Sequence, residues 1–205
     1  MLKIVIATRN SGKIAEIHSI INCSEIKNKV EIETLASYSG IPEVIEDGKT
    51  FAENASKKAR IVAKFTGDIA VADDSGLEVD ALGGAPGVYS ARFAGEGATD
   101  ADNIKKLMGL LKDTPFEKRG ARFVCVIAIS TPAGDVSLAE GECYGFIAAE
   151  ERGLSGFGYD PVFVVPEYGK TFSELGSEIK NKISHRAAAL GKLCNILETL
   201  IQFPP

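Results

Sequence analysis

At 205 residues the chain is long enough for one domain, or for one domain with a smaller lobe. Its 45% hydrophobic content is that of an ordinary globular protein, and no apolar run approaches transmembrane length, so a membrane partner is not expected. The net charge of −5 argues against a nucleic-acid polymer as main partner, yet leaves room for a small phosphate ligand held by a few local cations.

The four cysteines, Cys23, Cys125, Cys143 and Cys194, are scattered and form no C-x-x-C pair, which points to core thiols in a reducing compartment and not to a zinc knuckle or redox dithiol. The apolar start, Leu2 to Ala7, is too short for a signal peptide and reads as a buried first strand. A cytoplasmic protein is the expectation. A polar loop, Thr8, Arg9, Asn10, Ser11, Gly12 and Lys13, follows, and then Ile14, Ile17 and Ile21 recur at helical spacing. Strand, polar loop and helix in that order present backbone N–H groups at a helix N-terminus, where an anion is stabilised, and Lys13 adds a full charge. This is not a Walker A loop, because Ala7 and Ile14 stand where that motif needs glycine and Ser/Thr. The plainer reading is a capped turn with a solvated lysine.

Val30 to Leu35 alternates weakly and suggests a second strand. The loop from Ile41 to Gly48 carries Glu43, Glu46 and Asp47. Thr50 and Glu53 have capping-box spacing, which predicts a helix from about Phe51 to Phe65 with Gly67 ending it. Asn54 and Lys58 lie one turn apart on that helix and so point at a common target.

The stretch Ile69 to Leu77, reading IAVADDSGL, is the most informative. Ile69 to Ala72 reads as a short buried strand that runs into Asp73, Asp74, Ser75 and Gly76. Ligands of open α/β sheets collect at the carboxyl ends of strands. Two adjacent carboxylates there repel each other and are costly to bury unpaired, a conflict that a hard cation such as Mg²⁺ would remove. A solvated Asp-Asp-Ser-Gly turn is the alternative.

Leu77 to Leu82 alternates and ends in Gly83 and Gly84, and Ala85 to Phe93 is a loop carrying Arg92. Asp100 to Leu111 has an amphipathic helical pattern with Ile104, Leu107, Met108 and Leu111 on one stripe. Arg122 to Ser130 is a long apolar strand, and Val136 to Ala149 is its hairpin partner, with Gly141 or Gly145 as a bulge. Gly153 to Asp160 is rich in glycine and aromatics: Phe157 and Tyr159 offer stacking faces, Gly158 permits close backbone approach, and Asp160 is an acceptor. A structural turn with core aromatics is the alternative. Lys180, His185 and Arg186 form a basic cluster ahead of a packed helix, Ala187 to Phe203. A lone histidine is more often structural than catalytic.

Six stretches carry a resemblance over nearly the whole chain. They are Ala7 to Lys13 (ATRNSGK), Glu46 to Ala55 (EDGKTFAENA), Ala72 to Leu77 (ADDSGL), Gly84 to Phe93 (GAPGVYSARF), Gly156 to Phe163 (GFGYDPVF) and Ile183 to Arg186 (ISHR). In that order they resemble the inosine triphosphate pyrophosphatase family, also called dITP/XTP diphosphatases. The resemblance implies an α/β fold with a mixed, elongated central sheet flanked by helices, residues 1–205 forming a single domain of two lobes with a cleft between them. It implies hydrolysis of ITP, dITP and XTP to the monophosphate and pyrophosphate, a Mg²⁺ requirement and a homodimer. By this resemblance Thr8 to Lys13 would bind phosphate, and Glu46 and Asp74 would ligate the metal, with Asp74 also the proton acceptor. Ser75 would contact substrate. Phe157, Gly158, Tyr159 and Asp160 would hold base and sugar, and Lys180, His185 and Arg186 would reach the base edge and phosphates. Asn54, Lys58 and Arg92 are further candidates. Where some relatives carry a glycine this chain has Arg9, which adds a cation beside the phosphate loop. Two rival readings are a house-cleaning pyrophosphatase that prefers modified pyrimidines and a nucleotide sensor without turnover.

Overall fold

A computed structural model describes residues 1–202. The elements are β1 (Leu2–Ile6), α1 (Ser11–Asn22), β2 (Val30–Thr34), α2 (Phe51–Thr66), β3 (Ile69–Val79), α3 (Asp100–Leu110), β4 (Gly120–Ser130), β5 (Val136–Ile147), β6 (Phe163–Val165), β7 (Lys170–Thr171), α4 (Phe172–Ile183) and α5 (His185–Gln202). The expected end of the last helix at Phe203 lies outside the described residues. No helix among the described residues is long and apolar enough to cross a membrane.

The strands form one sheet in the order β2-β1-β3-β4-β5-β6-β7. Strand β1 pairs parallel with β2 and β3, whereas β5, β6 and β7 pair antiparallel. The expectation of a mixed α/β sheet flanked by helices is borne out. By contacts the described residues divide into two compact units: residues 1–74, 125–141 and those from 186 on make the first, and 75–124 and 142–185 the second.

Each unit has its own apolar core. In the first, Ile4, Ile6, Ile69, Val71 and Ile127 of the sheet pack with Ile17 and Ile21 of α1 and Leu190 and Leu193 of α5. In the second, Leu77, Val79, Phe123 and Phe163 pack with Ile104 and Leu107 of α3 and Phe172 of α4. Burying side chains of this size contributes about 1.5–3 kcal/mol each.

The local grammar explains most boundaries. Thr50 caps α2 by accepting the Glu53 N–H, and Gly67 closes the helix in the left-handed region at φ 73°. Helix α1 starts at Ser11, ahead of its first apolar residue, because the Asn10 side chain accepts the Lys13 N–H and caps it. Gly145 of β5 lies so close to the Val164 carbonyl and the Phe163 ring that any side chain would collide with them, so it is needed for strand approach.

Candidate active site

Contrary to expectation, β3 does not end at Ala72. It runs to Val79, and Asp73 and Asp74 lie inside it, both buried. Adjacent strand residues point to opposite faces, so each carboxylate meets different neighbours. Asp73 shares its parity with Ile69 and Val71, which pack with α1 and α5. There its Oδ2 receives Lys13 Nζ at 3.0 Å and Arg186 Nη2 at 3.0 Å. Arg186 also donates from Nη1 to Glu16 of α1. Burial alone would push the Asp73 carboxyl up; Lys13, Arg186 and Lys58 outweigh it and hold it well below the usual carboxylate range.

Asp74 meets α2. Its Oδ2 accepts from Asn54 Nδ2 at 2.9 Å, and Asn54 Oδ1 accepts the Gly48 N–H at 2.8 Å. Lys58, one turn along, donates to the Asp73 carbonyl at 2.5 Å and to Glu46 Oε1 at 3.0 Å. The pair expected to point at one target faces the same stretch of β3 but bonds to different acceptors: Asn54 holds the Asp74 carboxylate, and Lys58 the Asp73 carbonyl and Glu46. Burial pushes the Asp74 carboxyl up; Lys58 and Asn54 oppose this, while the nearby Glu46 charge adds to it. Lys58 is raised above its ordinary value because Asp73, Asp74 and Glu46 outweigh its burial.

The phosphate-loop candidates sit at the N-terminus of α1. Thr8 Oγ1 accepts the Asn10 N–H at 3.2 Å, Asn10 caps the helix, and Ser11, Gly12 and Lys13 form its first turn. A cavity of about 480 Å³ in the first unit is lined by Thr8, Arg9, Glu43, Glu46 and Lys58, among others. Two phosphate-loop candidates, Thr8 and Arg9, and one metal candidate, Glu46, therefore border one space in that unit. Ser75 follows Asp74 in β3, half-buried.

Among the described residues no group of three or more His, Cys, Asp or Glu side chains converges into a ready cage for a metal. Mg²⁺ needs no such cage, since it is held by one or two carboxylates with waters and substrate phosphates. Glu46 and Asp74 supply hard oxygen donors, a cationic Lys58 already lies in their field, and their mutual repulsion is the conflict a divalent ion relieves. The residues present fit the ion.

In the second unit Phe157 is half-buried with Lys180 Nζ 4.3 Å from its ring centroid. Lys180, a residue of α4, also pairs with Asp160 Oδ2 at 2.6 Å, and Asp160 Oδ2 accepts the Phe157 N–H at 3.0 Å. Tyr159 differs from expectation: its ring lies in the core and its hydroxyl donates to the Ser90 carbonyl at 2.9 Å, so it braces the loop from below. Burial pushes its phenol above the ordinary range. His185 is buried and stacks on Phe123, 4.7 Å between centroids. Arg186 is fully buried against its two carboxylates, and Arg92 pairs with Glu96 at 3.6 Å.

Glu16 escaped the sequence reading. It lies beside the apolar Ile17, and nothing in its neighbourhood signals a buried charge partner 170 positions away.

A model of the Ham1 family matches residues 4–196. The chain belongs to the Ham1 family. It is 53% identical over 200 residues to a dITP/XTP pyrophosphatase from Desulforamulus reducens, covering 97% of each chain. A dITP/XTP pyrophosphatase from Bacillus subtilis is 48% identical, over 97% of this chain and 98% of that one. Among solved structures, a HAM1 protein from Coxiella burnetii superposes with a TM-score of 0.86 at 43% identity, covering 97% of this chain and 100% of the other. A nucleoside-triphosphatase / dITP/XTP pyrophosphatase from Mycobacterium abscessus gives 0.75 at 44%, covering 94% and 98%. The Ham1 fold is thus shared along almost the entire chain, carboxylate strand and glycine-rich loop included.

Proposed function

We propose that this Ham1 protein hydrolyses ITP, dITP and XTP at the α–β anhydride bond, yielding the nucleoside monophosphate and pyrophosphate, and so clears deaminated purines from the nucleotide pool. The observation that carries the reading is Asp74, a buried carboxyl pushed up and oriented by Asn54, with Lys58 and Glu46 beside it. The 53% identity to a named dITP/XTP pyrophosphatase supports the substrate class.

The chain's own groups divide the work. Asp74 orients the attacking water and takes its proton, for which a raised pKa makes it a stronger base. Asn54 fixes its rotamer. Lys13, with the helix N-terminus formed by Thr8 to Gly12, and Lys58 stabilise charge growing on the leaving pyrophosphate. Glu46 and Asp74 would hold Mg²⁺, which when bound polarises a phosphoryl oxygen and screens charge from the nucleophile. Asp73, locked by Lys13 and Arg186, keeps the strand and Lys13 in place.

Phe157 gives the purine a face. Its own N–H and that of Gly158 are already accepted by Asp160 and Asp100, so they are not the donors that read the 6-oxo group. Lys180, paired with Asp160 beside the same ring, is a cationic ammonium with three N–H groups and is the reading's candidate for that oxygen. A donor facing the ATP amine would be left unpaired, at a cost of roughly 1–3 kcal/mol. A homodimer belongs to the same reading, supported by family membership. The four free thiols support a reducing, cytoplasmic setting.

The test is pyrophosphate release from ITP, XTP, ATP, GTP, dUTP and dTTP with Mg²⁺. Preferential release from ITP and XTP is expected. Equal or absent release ends the proposal, and preference for a pyrimidine favours the other house-cleaning class. Sedimentation of the purified protein at twice the monomer mass is the expected result for the dimer.

A further inference from the structure

Resting on the reading above, we propose that Asp100 is a positioning residue that ties the apex of the purine-binding loop to helix α3. Phe157 is flanked by Gly156 at φ 89° and Gly158 at φ 59°, both in the left-handed region. Both glycines hold a conformation that other residues rarely adopt, so the chain turns sharply on either side of the ring and depends on contacts beyond those turns to keep its course.

The stems of the loop are fastened elsewhere. Upstream, the Ser155 N–H donates to Ser173 Oγ at 2.9 Å and Ser155 Oγ donates to the Ser173 carbonyl at 2.6 Å. Downstream, Tyr159 is held by Ser90, and Asp160 accepts from Phe157. At the apex the Gly158 N–H donates to Asp100 Oδ2 at 2.7 Å, a short charge-assisted bond. Asp100 opens α3 but does not cap it. The cap is the reciprocal pair of Thr99 and Asp102, in which Asp102 Oδ2 accepts the Thr99 N–H and Thr99 Oγ1 accepts the Asp102 N–H. Ile104 and Leu107 anchor the helix in the core of the second unit, so Asp100 is presented from a rigid element. The tether pre-organises the Phe157 face for a purine and takes no part in the chemistry at Asp74.

Steady-state kinetics on ITP and amide hydrogen exchange test this together. Asp100→Ala is expected to raise KM roughly 3- to 10-fold, with kcat within about 2-fold, the yield of one exposed hydrogen bond. Asp100→Asn retains an acceptor oxygen and is expected to restore KM, whereas Asp100→Glu keeps the charge but displaces it by one methylene and is expected to raise KM. A role confined to the helix dipole predicts the reverse for those two variants, so a raised KM in Asp100→Asn with a normal one in Asp100→Glu overturns the proposal. An unchanged KM in both Asp100→Ala and Asp100→Glu also overturns it; should Asp100→Ala not fold, the other two decide. If the wild type fails to cleave ITP, the functional reading falls, and the tether is then read from the Gly158 amide alone: faster exchange in Asp100→Glu supports it and unchanged exchange overturns it.

Discussion

Asp73 and Asp74 are neighbours in one strand with opposite titration behaviour, and their signs lead to different outcomes. Asp73 is held below its unfolded value, near 3.9 for a free aspartate, so its stabilising contribution is complete above that pH and is lost as pH falls toward the folded value. Asp74 is raised, so its contribution favours folding at low pH and is lost as pH rises through its folded value. At neutral pH an ionised Asp74 therefore costs stability. Asp74→Asn is expected to raise the Tm of the metal-free protein while lowering kcat roughly 10²- to 10⁴-fold, the usual span for a general base. Calorimetry and turnover on the same preparation check both halves. Arg186→Ala, by contrast, leaves Asp73 and Glu16 as buried carboxylates that have lost their shared guanidinium, and is expected to cost about 3–5 kcal/mol in urea unfolding.

Helix α2 is the element that turns local sequence into site geometry. The Thr50 cap sets where the helix begins, with Glu53 accepting the Lys49 N–H one residue earlier instead of closing a reciprocal box, and the helical period then carries Asn54 and Lys58 onto the face toward β3. Thr50→Ala is expected to destabilise the protein by roughly 1 kcal/mol, read by chemical denaturation. This start was legible because the signal is local: a hydroxyl and a carboxylate three residues apart. The same signal, Thr171 with Glu174, marks α4, which periodicity hides because Gly176, at φ 75°, interrupts the helical pattern. The early start of α1 was missed for a related reason. Its first turn is polar, and its boundary is set by the Asn10 side chain and not by an apolar stripe. The length of β3 could not be read locally. Two adjacent acids argue for a strand end unless cations are waiting on both faces, and Lys13, Lys58 and Arg186 come from three separate stretches of chain.

Across the whole molecule, the residues proposed for the ligand chemistry fall into both compact units. Phosphate and metal candidates belong to the first unit, Phe157, Asp160 and Lys180 to the second. If the proposed reading is right, substitutions in either unit weaken binding of the nucleotide. A non-hydrolysable α,β-methylene ITP with Mg²⁺ at 100 times its Kd should stabilise the wild type by about 2.7 kcal/mol. That gain is expected to shrink in Lys13→Ala and in Phe157→Ala alike, followed by thermal shift. A gain that survives either substitution intact would sink the assignment of that unit's residues.

The order of residues alone carries the family resemblance, the strands and helices up to β5 and the last helix, the caps of α2, and the candidate residues for phosphate, metal and base. These depend on spacing along the chain, where covalent geometry makes the neighbour known. The state of each group comes from contacts in the folded chain: which carboxylate is held down and which pushed up, that Tyr159 belongs to the core, and that Arg186 is locked against Glu16 and Asp73. Burial and charge pairing act through space, between residues as far apart as Glu16 and Arg186, and no local pattern carries that distance.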